Sequence, residues 1–229
     1  LSLTADKPMD IFGARWENYI EKLKNNWTET VSEDDTVVIP GDISWGMGFD
    51  TAAEDLTFIH NLPGRKIIGK GNHDYWWQTM AKLNRFKEEL GADSIDFLFN
   101  NAYLCEDFII AGTRGWTLEA NYSEEDLKIV NREAGRLRMS LEAAKKLGET
   151  TLGAETVVFL HYPPSFGGIV CRQLVDVMHE YGVKRCFYGH IHSVNPAILD
   201  RFADDIPIYC ISADLIGFKP MKLNKFQAV

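Results

Sequence analysis

Cysteine is scarce and scattered. The four cysteines in 229 residues (Cys105, Cys171, Cys186 and Cys210) form no Cys-x-x-Cys pair, so they read as reduced, mostly buried thiols of a cytosolic protein rather than a disulfide framework. No run approaches the roughly 20 apolar residues of a membrane span. Leu1 to Asp10 lack a basic segment followed by a hydrophobic one, so no signal peptide is visible and a cytoplasmic setting without a membrane partner is expected. Positive charge is also short: 24 Lys and Arg stand against 33 Asp and Glu, for a formal net charge of -9. A sequence-independent nucleic-acid binder draws its affinity from cations that neutralise phosphates, and this balance disfavours one. An acidic chain that handles phosphate needs bound cations to do so. Internal repeats, low-complexity tracts and linkers are missing too, which leaves no sign of an array or of a second domain.

What is present is an ordinary globular composition, 45% hydrophobic and 25% charged. That is enough for one large domain with a substantial core, spanning residues 1–229. Trp16, Ile20, Leu23 and Trp27 recur at three- and four-residue spacing and predict a helix ahead of the β-rich run Thr36 to Ile39. A second helix is expected from Asp50 to Asn61, stopped by Leu62-Pro63-Gly64, then a strand over Lys66 to Ile68 and a helix from Trp77 to Leu90 ending at Gly91. Phe97 to Gly112 predicts a meander of short strands turning at Asn100-Asn101 and Glu106-Asp107. From Ser123, whose pairing with Asp126 resembles a capping box, a long helix carries the stripe Leu127, Val130, Ala134, Leu137, Leu141, Ala144, and Gly148 is expected to end it. Arg132, Arg136 and Arg138 lie off that stripe and read as a solvated face. Strand (Thr156 to Leu160), helix (Cys171 to Tyr181), strand (Arg185 to Tyr188) and a β-rich piece near Ile208 to Ser212 complete an alternating α/β pattern.

Chemistry gathers where strands end. Gly71-Asn72-His73-Asp74 follows the strand Lys66 to Ile68, and its glycines let the backbone turn sharply and approach a ligand. Asn72 offers an amide oxygen, His73 an imidazole, and Asp74 a carboxylate able to hold that imidazole in one tautomer. Gly41-Asp42, His161 and Gly189-His190-Ile191-His192 each follow another strand, the position at which open α/β sheets place their sites. Four of the six histidines fall in these loops, whereas His60 and His179 sit on helical segments without ligand neighbours. In an extended His190-x-His192 the two rings point to opposite faces, so both are ligands only if the loop bends or two metals lie across it.

These motifs, in this order and spread over nearly the whole chain, resemble the calcineurin-like metallophosphoesterases. The family signature is Asp-x-His, Gly-Asp, Gly-Asn-His-Asp/Glu, a lone His and Gly-His-x-His, each after a strand. The resemblance implies a four-layer α/β/β/α sandwich that hydrolyses a small phosphomonoester or phosphodiester with a metal-bridging hydroxide. It implies that Asp42 bridges two divalent metals, that Asn72, His161 and His190 complete one metal's ligands, and that His192 binds the other. His73 is then the proton donor to the leaving group, held by Asp74. Such a metal pair clamps phosphate oxygens and activates water near neutral pH. Imidazole and carboxylate suit Mn, Fe or Zn.

The opening Asp-x-His of the family pattern is not in this sequence. Asp6 and Asp10 have no paired His and no preceding strand, and without the two missing side chains one metal keeps only Asp42 and His192. The expectation is that the polypeptide continues upstream, because the missing stretch would also carry a strand of the main sheet. The alternative is a non-catalytic interaction scaffold with an incomplete metal site. Retention of so many polar ligands around one pocket, where desolvation is costly, favours the enzyme. Near these loops Arg114, in Gly112-Thr113-Arg114-Gly115-Trp116, either grips phosphate oxygens or forms a structural ion pair. Trp45, Trp76 and Trp77 either stack on a substrate ring or, as aromatics at strand ends more often do, pack the core.

Overall fold

The computed structural model describes residues 1–4, 7 and 9–225. In the first half, α1 (Tyr19–Thr30), β1 (Thr36–Ile39), α2 (Phe49–His60), β2 (Arg65–Gly69), α3 (Met80–Leu90) and β3 (Ile95–Leu98) alternate along the chain. The helical crossovers return each strand parallel to the last, giving a sheet in the order β1-β2-β3. Alternation along the strands divides the side chains between two faces. Val37, Ile39, Ile68, Ile95 and Phe97 pack with Trp27, Leu56, Leu83 and other helix residues. Val38, Ile67 and Leu98 face the opposite way.

The second half supplies β4 (Tyr103–Cys105), β5 (Phe108–Thr113), α4 (Glu124–Thr150), β6 (Glu155–Leu160), a two-stranded hairpin of β7 (Ser165–Phe166) and β8 (Ile169–Val170), α5 (Arg172–Glu180), β9 (Cys186–Tyr188), β10 (Phe202–Ala203) and β11 (Ile206–Cys210). Six of these strands form a mixed sheet in the order β10-β11-β9-β6-β5-β4, antiparallel only at its two edges. Ile109, Ala111, Val158 and Leu160 meet α4 and α5 through Leu137, Leu141, Leu174 and Met178. Ile110, Val157, Phe159 and Phe187 point inward and pack on Ile67 and Leu98 of the first sheet. The layers are therefore helices, three-stranded sheet, six-stranded sheet, helices: the expected four-layer α/β/β/α sandwich.

Several boundaries differ from the sequence expectation. The meander does not form, because β3 joins β2 in the first sheet while β4 and β5 make a hairpin in the second, so the Asn100-Asn101 turn passes between sheets. Trp16 precedes α1 in a short 3-10 turn, and Trp77 precedes α3. Gly148 lies inside α4, which runs on to Thr150. At its start α4 is capped as expected, Ser123 Oγ accepting the Asp126 N–H at 3.1 Å. All four cysteines are free. No helix among the described residues is long and apolar enough to cross a membrane.

Among the described residues β1 is the outer strand of its sheet. A cleft of about 990 Å³ lies against Val37, Val38 and Ile39 on one side and Phe159 and Phe187 on the other, and it reaches Asp42, His73, His161, His190 and His192.

Candidate metal centre

The loops after β1 and β2 touch backbone to backbone. A Cβ on Gly71 would lie 2.0 Å from Asp42 Oδ1, and one on Gly41 2.3 Å from the Gly71 nitrogen, so only glycine permits the approach at either position. Asp74 ties the two loops together. Its Oδ2 accepts the N–H groups of Gly71 and Asp42 at 2.7 and 2.8 Å, and its Oδ1 those of Ile43, Ser44 and the Trp76 indole at 3.0, 3.3 and 3.1 Å. Burial, reinforced by the nearby Asp42 carboxylate, pushes its pKa up to about 6, and the backbone donors oppose the rise. The expectation that Asp74 holds the His73 ring is corrected here. Its two oxygens are engaged by loop N–H groups, and the ring turns elsewhere.

Four donor atoms converge beside that junction. His161 Nε2 lies 2.6 Å from Asn72 Oδ1, 3.2 Å from His190 Nδ1 and 3.4 Å from Asp42 Oδ2, and His190 Nδ1 lies 2.9 Å from the same Asn72 oxygen. His161 Nδ1 donates to the Pro40 carbonyl at 3.0 Å. Burial drives the His161 pKa down to about 3, so the ring is neutral near pH 7 and its one proton is committed to Pro40. Nε2 therefore presents a bare lone pair to an amide oxygen and a carboxylate. Burial, with the neighbouring His161 adding to it, lowers His190 to about 4, and that ring can supply only one proton to the whole group. Lone pairs crowded in this way suit a cation, and Asp42, His161 and His190 bring their ligand atoms within 4.8 Å of one another. Asp42 (φ 56°) and His190 (φ 66°) both adopt left-handed backbone, the kind of local strain that concentrates at functional sites. At His190 it also supplies the bend that the His190-x-His192 spacing requires.

His192 lies outside that four-residue group. Its Nδ1 pairs with Asp214 Oδ1 at 2.6 Å, and the ring edge meets Trp16 at a centroid distance of 5.4 Å. Asp214 is buried and also accepts the Ser193 N–H at 2.8 Å. Sequence reasoning missed it, since it stands alone after β11. His73 stacks on Trp45 with centroids 3.8 Å apart, and its Nδ1 lies 3.3 Å from the Tyr75 hydroxyl. Burial lowers its pKa, the Asp42 carboxylate opposes that, and Lys7 and His192 add to it. Of the three tryptophans only Trp45 lines the cleft; Trp76 and Trp77 are buried in the helical core, from which the Trp76 indole donates to Asp74.

Arg114 follows β5, and its carbonyl accepts the N–H groups of His161 and Tyr162 at 3.1 and 2.9 Å. Its guanidinium rests over Trp116 at 4.7 Å and lies 3.8 Å from Glu133. Glu133 is fully buried on α4, where it accepts from Thr113 Oγ1 and from Arg136, each at 2.6 Å. Arg136 is thus not part of the solvated face expected for it. Glu133 was overlooked although its place three residues after Val130 and four before Leu137 puts it on the buried side of the helix. Asp6 lies outside the described residues.

A family model described as calcineurin-like phosphoesterase matches residues 12–194. Two solved structures share the fold. One is 14% identical, with 83% of this chain and 84% of that one covered and a TM-score of 0.52. The other, TT1561 of Thermus thermophilus, is 10% identical, with 86% and 84% covered and a TM-score of 0.50. A comparison with curated protein sequences finds no match. The family model covers well over half the chain, including the loops that carry Asp42, Asn72, His161 and His190, and the chain belongs to the calcineurin-like phosphoesterase family.

Proposed function

We propose that this protein hydrolyses a small phosphomonoester or phosphodiester at two divalent metals, drawn from Mn, Fe and Zn. The observation that carries the proposal is the convergence of Asp42, Asn72, His161 and His190, with the His161 proton turned away onto Pro40. Those four residues would hold one metal, and Asp42 with His192, whose ring Asp214 fixes, would supply two ligands of the other. When bound, the metals polarise the phosphoryl group and make a water acidic enough to react near neutral pH. His73 protonates the leaving group. The burial that lowers its pKa also makes its protonated ring a stronger acid toward a departing oxygen, and the Trp45 stack holds the ring at the cleft. Arg114, anchored through its backbone to the His161 loop, grips a phosphate oxygen.

The test uses metal-stripped protein reloaded with Mn, Fe or Zn and assayed on p-nitrophenyl phosphate and bis(p-nitrophenyl) phosphate. At least one should be hydrolysed, with activity lost to chelator. Asp42→Asn should lower turnover by about 100-fold or more, the scale of a lost group that stabilises transition-state charge. His73→Ala should slow an alkyl phosphate far more than an aryl one, since only a poor leaving group needs the proton. Absence of turnover on both substrates with every metal would replace the enzyme with the interaction scaffold.

A further inference from the structure

With the Asp74 carboxylate spent on loop N–H groups, the His73 ring needs another holder. Two aromatic side chains stand where one is required. Asp74 fixes the backbone of Ile43 and Ser44 just ahead of Trp45, and the His73 N–H donates to Asp42 Oδ1 at 2.8 Å. Trp45 and His73 thus leave two loops that are pinned to each other. Their rings stack with centroids 3.8 Å apart and planes 27° apart. The Lys7 ammonium lies 3.4 Å from the centroid of the same indole. Trp45 is therefore engaged by the chain's own side chains, and a substrate ring stacking on it would have to displace one of them.

Tyr75 meets the imidazole from a second direction. Its N–H donates to the His73 carbonyl at 2.8 Å, and this three-residue turn brings the two side chains together. The rings meet edge to face, with centroids 6.0 Å apart and planes 76° apart, and the hydroxyl lies 3.3 Å from His73 Nδ1. Tyr75 is 49% exposed, so burial does not account for its place. One nitrogen of the ring is engaged in this way, and Nε2 is left to face a substrate.

We propose that Trp45 and Tyr75 are the positioning residues of His73, Trp45 fixing the plane of the ring and Tyr75 its rotation, so that Nε2 is the atom that delivers the proton. Hydroxide bonds to phosphorus as the bond from phosphorus to the leaving oxygen breaks. The electron pair of that bond stays on the leaving oxygen and takes the Nε2 proton. Nδ1 keeps its own proton, donated to the Tyr75 oxygen, and the ring ends neutral without having to turn. The proton transfer rests on the phosphohydrolase reading, but the placement of the ring is tested without turnover.

The first measurement is proton NMR of the metal-free protein. The carbon-bound ring protons of His73, assigned by their loss in His73→Ala, should lie upfield of their position in an unstructured chain because they sit over the Trp45 indole. Trp45→Leu should return them. The second is turnover by Mn-loaded protein of an alkyl and an aryl phosphate. Tyr75→Phe should slow the alkyl ester about five-fold more than the aryl one, the scale of one neutral hydrogen bond. Trp45→Leu should widen the gap to about ten-fold or more, part of what a placed acid supplies, and Trp45→Phe should restore most of it. The exposed Tyr75 keeps the test valid if Trp45→Leu melts early. Ring protons at the unstructured position, or alkyl and aryl rates that fall by the same factor in both variants, would overturn the positioning. Upfield ring protons that depend on Trp45, in protein that turns over no phosphate ester, would keep the ring placement and sink the hydrolase.

Discussion

Asp74 stands in the most conspicuous motif of the sequence, yet its bonds are those of a strut. It accepts five N–H groups from the two loops that carry Asp42 and Asn72, and only a carboxylate has the acceptors for all of them. In Asp74→Asn one oxygen becomes an NH2 group facing two donors. Leaving two buried N–H groups without acceptors should cost about 2–5 kcal/mol, which lowers the melting temperature by about 5–15 °C in a chain of this size. A thermal melt in chelator checks this without reference to activity, and an unchanged melting temperature would show that the loops do not need the strut. Residue types at strand ends made Asp42, Asn72, His161 and His190 legible, since few uses other than metal binding need that set together. Asp214 was not legible because nothing in its neighbourhood repeats a pattern. The direction in which Asp74 points, toward backbone rather than toward His73, depends on how two loops meet in space.

The long helix α4 was predicted from its cap and its apolar stripe; the cap is present, and the stripe packs inward from Val130 to Ala144 while Leu127, its expected first member, is exposed. What the stripe concealed is the buried acid within it. Glu133 links α4 to β5 through Thr113 and offsets the charges of Arg114 and Arg136. Glu133→Gln keeps the shape and removes the charge. It should destabilise the protein by about 1–3 kcal/mol, less than for a fully buried pair because both arginines are partly exposed. A shift in urea midpoint at constant slope would register it, and no shift would mean that apolar packing alone holds α4. Elsewhere helix periodicity and turn residues located the longer elements to within a few positions, whereas the two-residue strands β7, β8 and β10 were not expected. Gly148 failed as a stop signal because Leu147 is packed against the core and the helix continues past the glycine. β3 was misassigned for a different reason: a four-residue apolar strand does not announce which sheet it will join.

Across the whole molecule, two sheets meet through an apolar interior and bring their loop-bearing strand ends to one place, which no stretch of sequence contains. Alternation of strand and helix pointed to parallel sheets, but the strand order and the pairing of His161 with Pro40 and Asn72 follow only from packing 89 to 121 residues apart. That convergence ties the site to global stability through protons. His161 is buried and its pKa is lowered to about 3 by desolvation, so the folded protein keeps the ring neutral. In the unfolded chain it titrates near 6.5. A folded pKa below the unfolded one means that the stabilisation is complete above about pH 6.5 and is lost as pH falls toward 3, because the unfolded state takes up a proton that the folded state refuses. The slope for one such group approaches 1.4 kcal/mol per pH unit (about 2.3RT per proton). In chelator, the melting temperature should fall on acidification from pH 7 to pH 5. In His161→Asn, which cannot take up that proton in either state, the fall should be shallower by about 1–2 kcal/mol over the same range. The difference between the two curves reports His161 together with the part of the His190 shift that His161 causes. Parallel curves would mean that the His161 ring takes up its proton in the folded state, and the bare lone pair on which the metal centre depends would be gone.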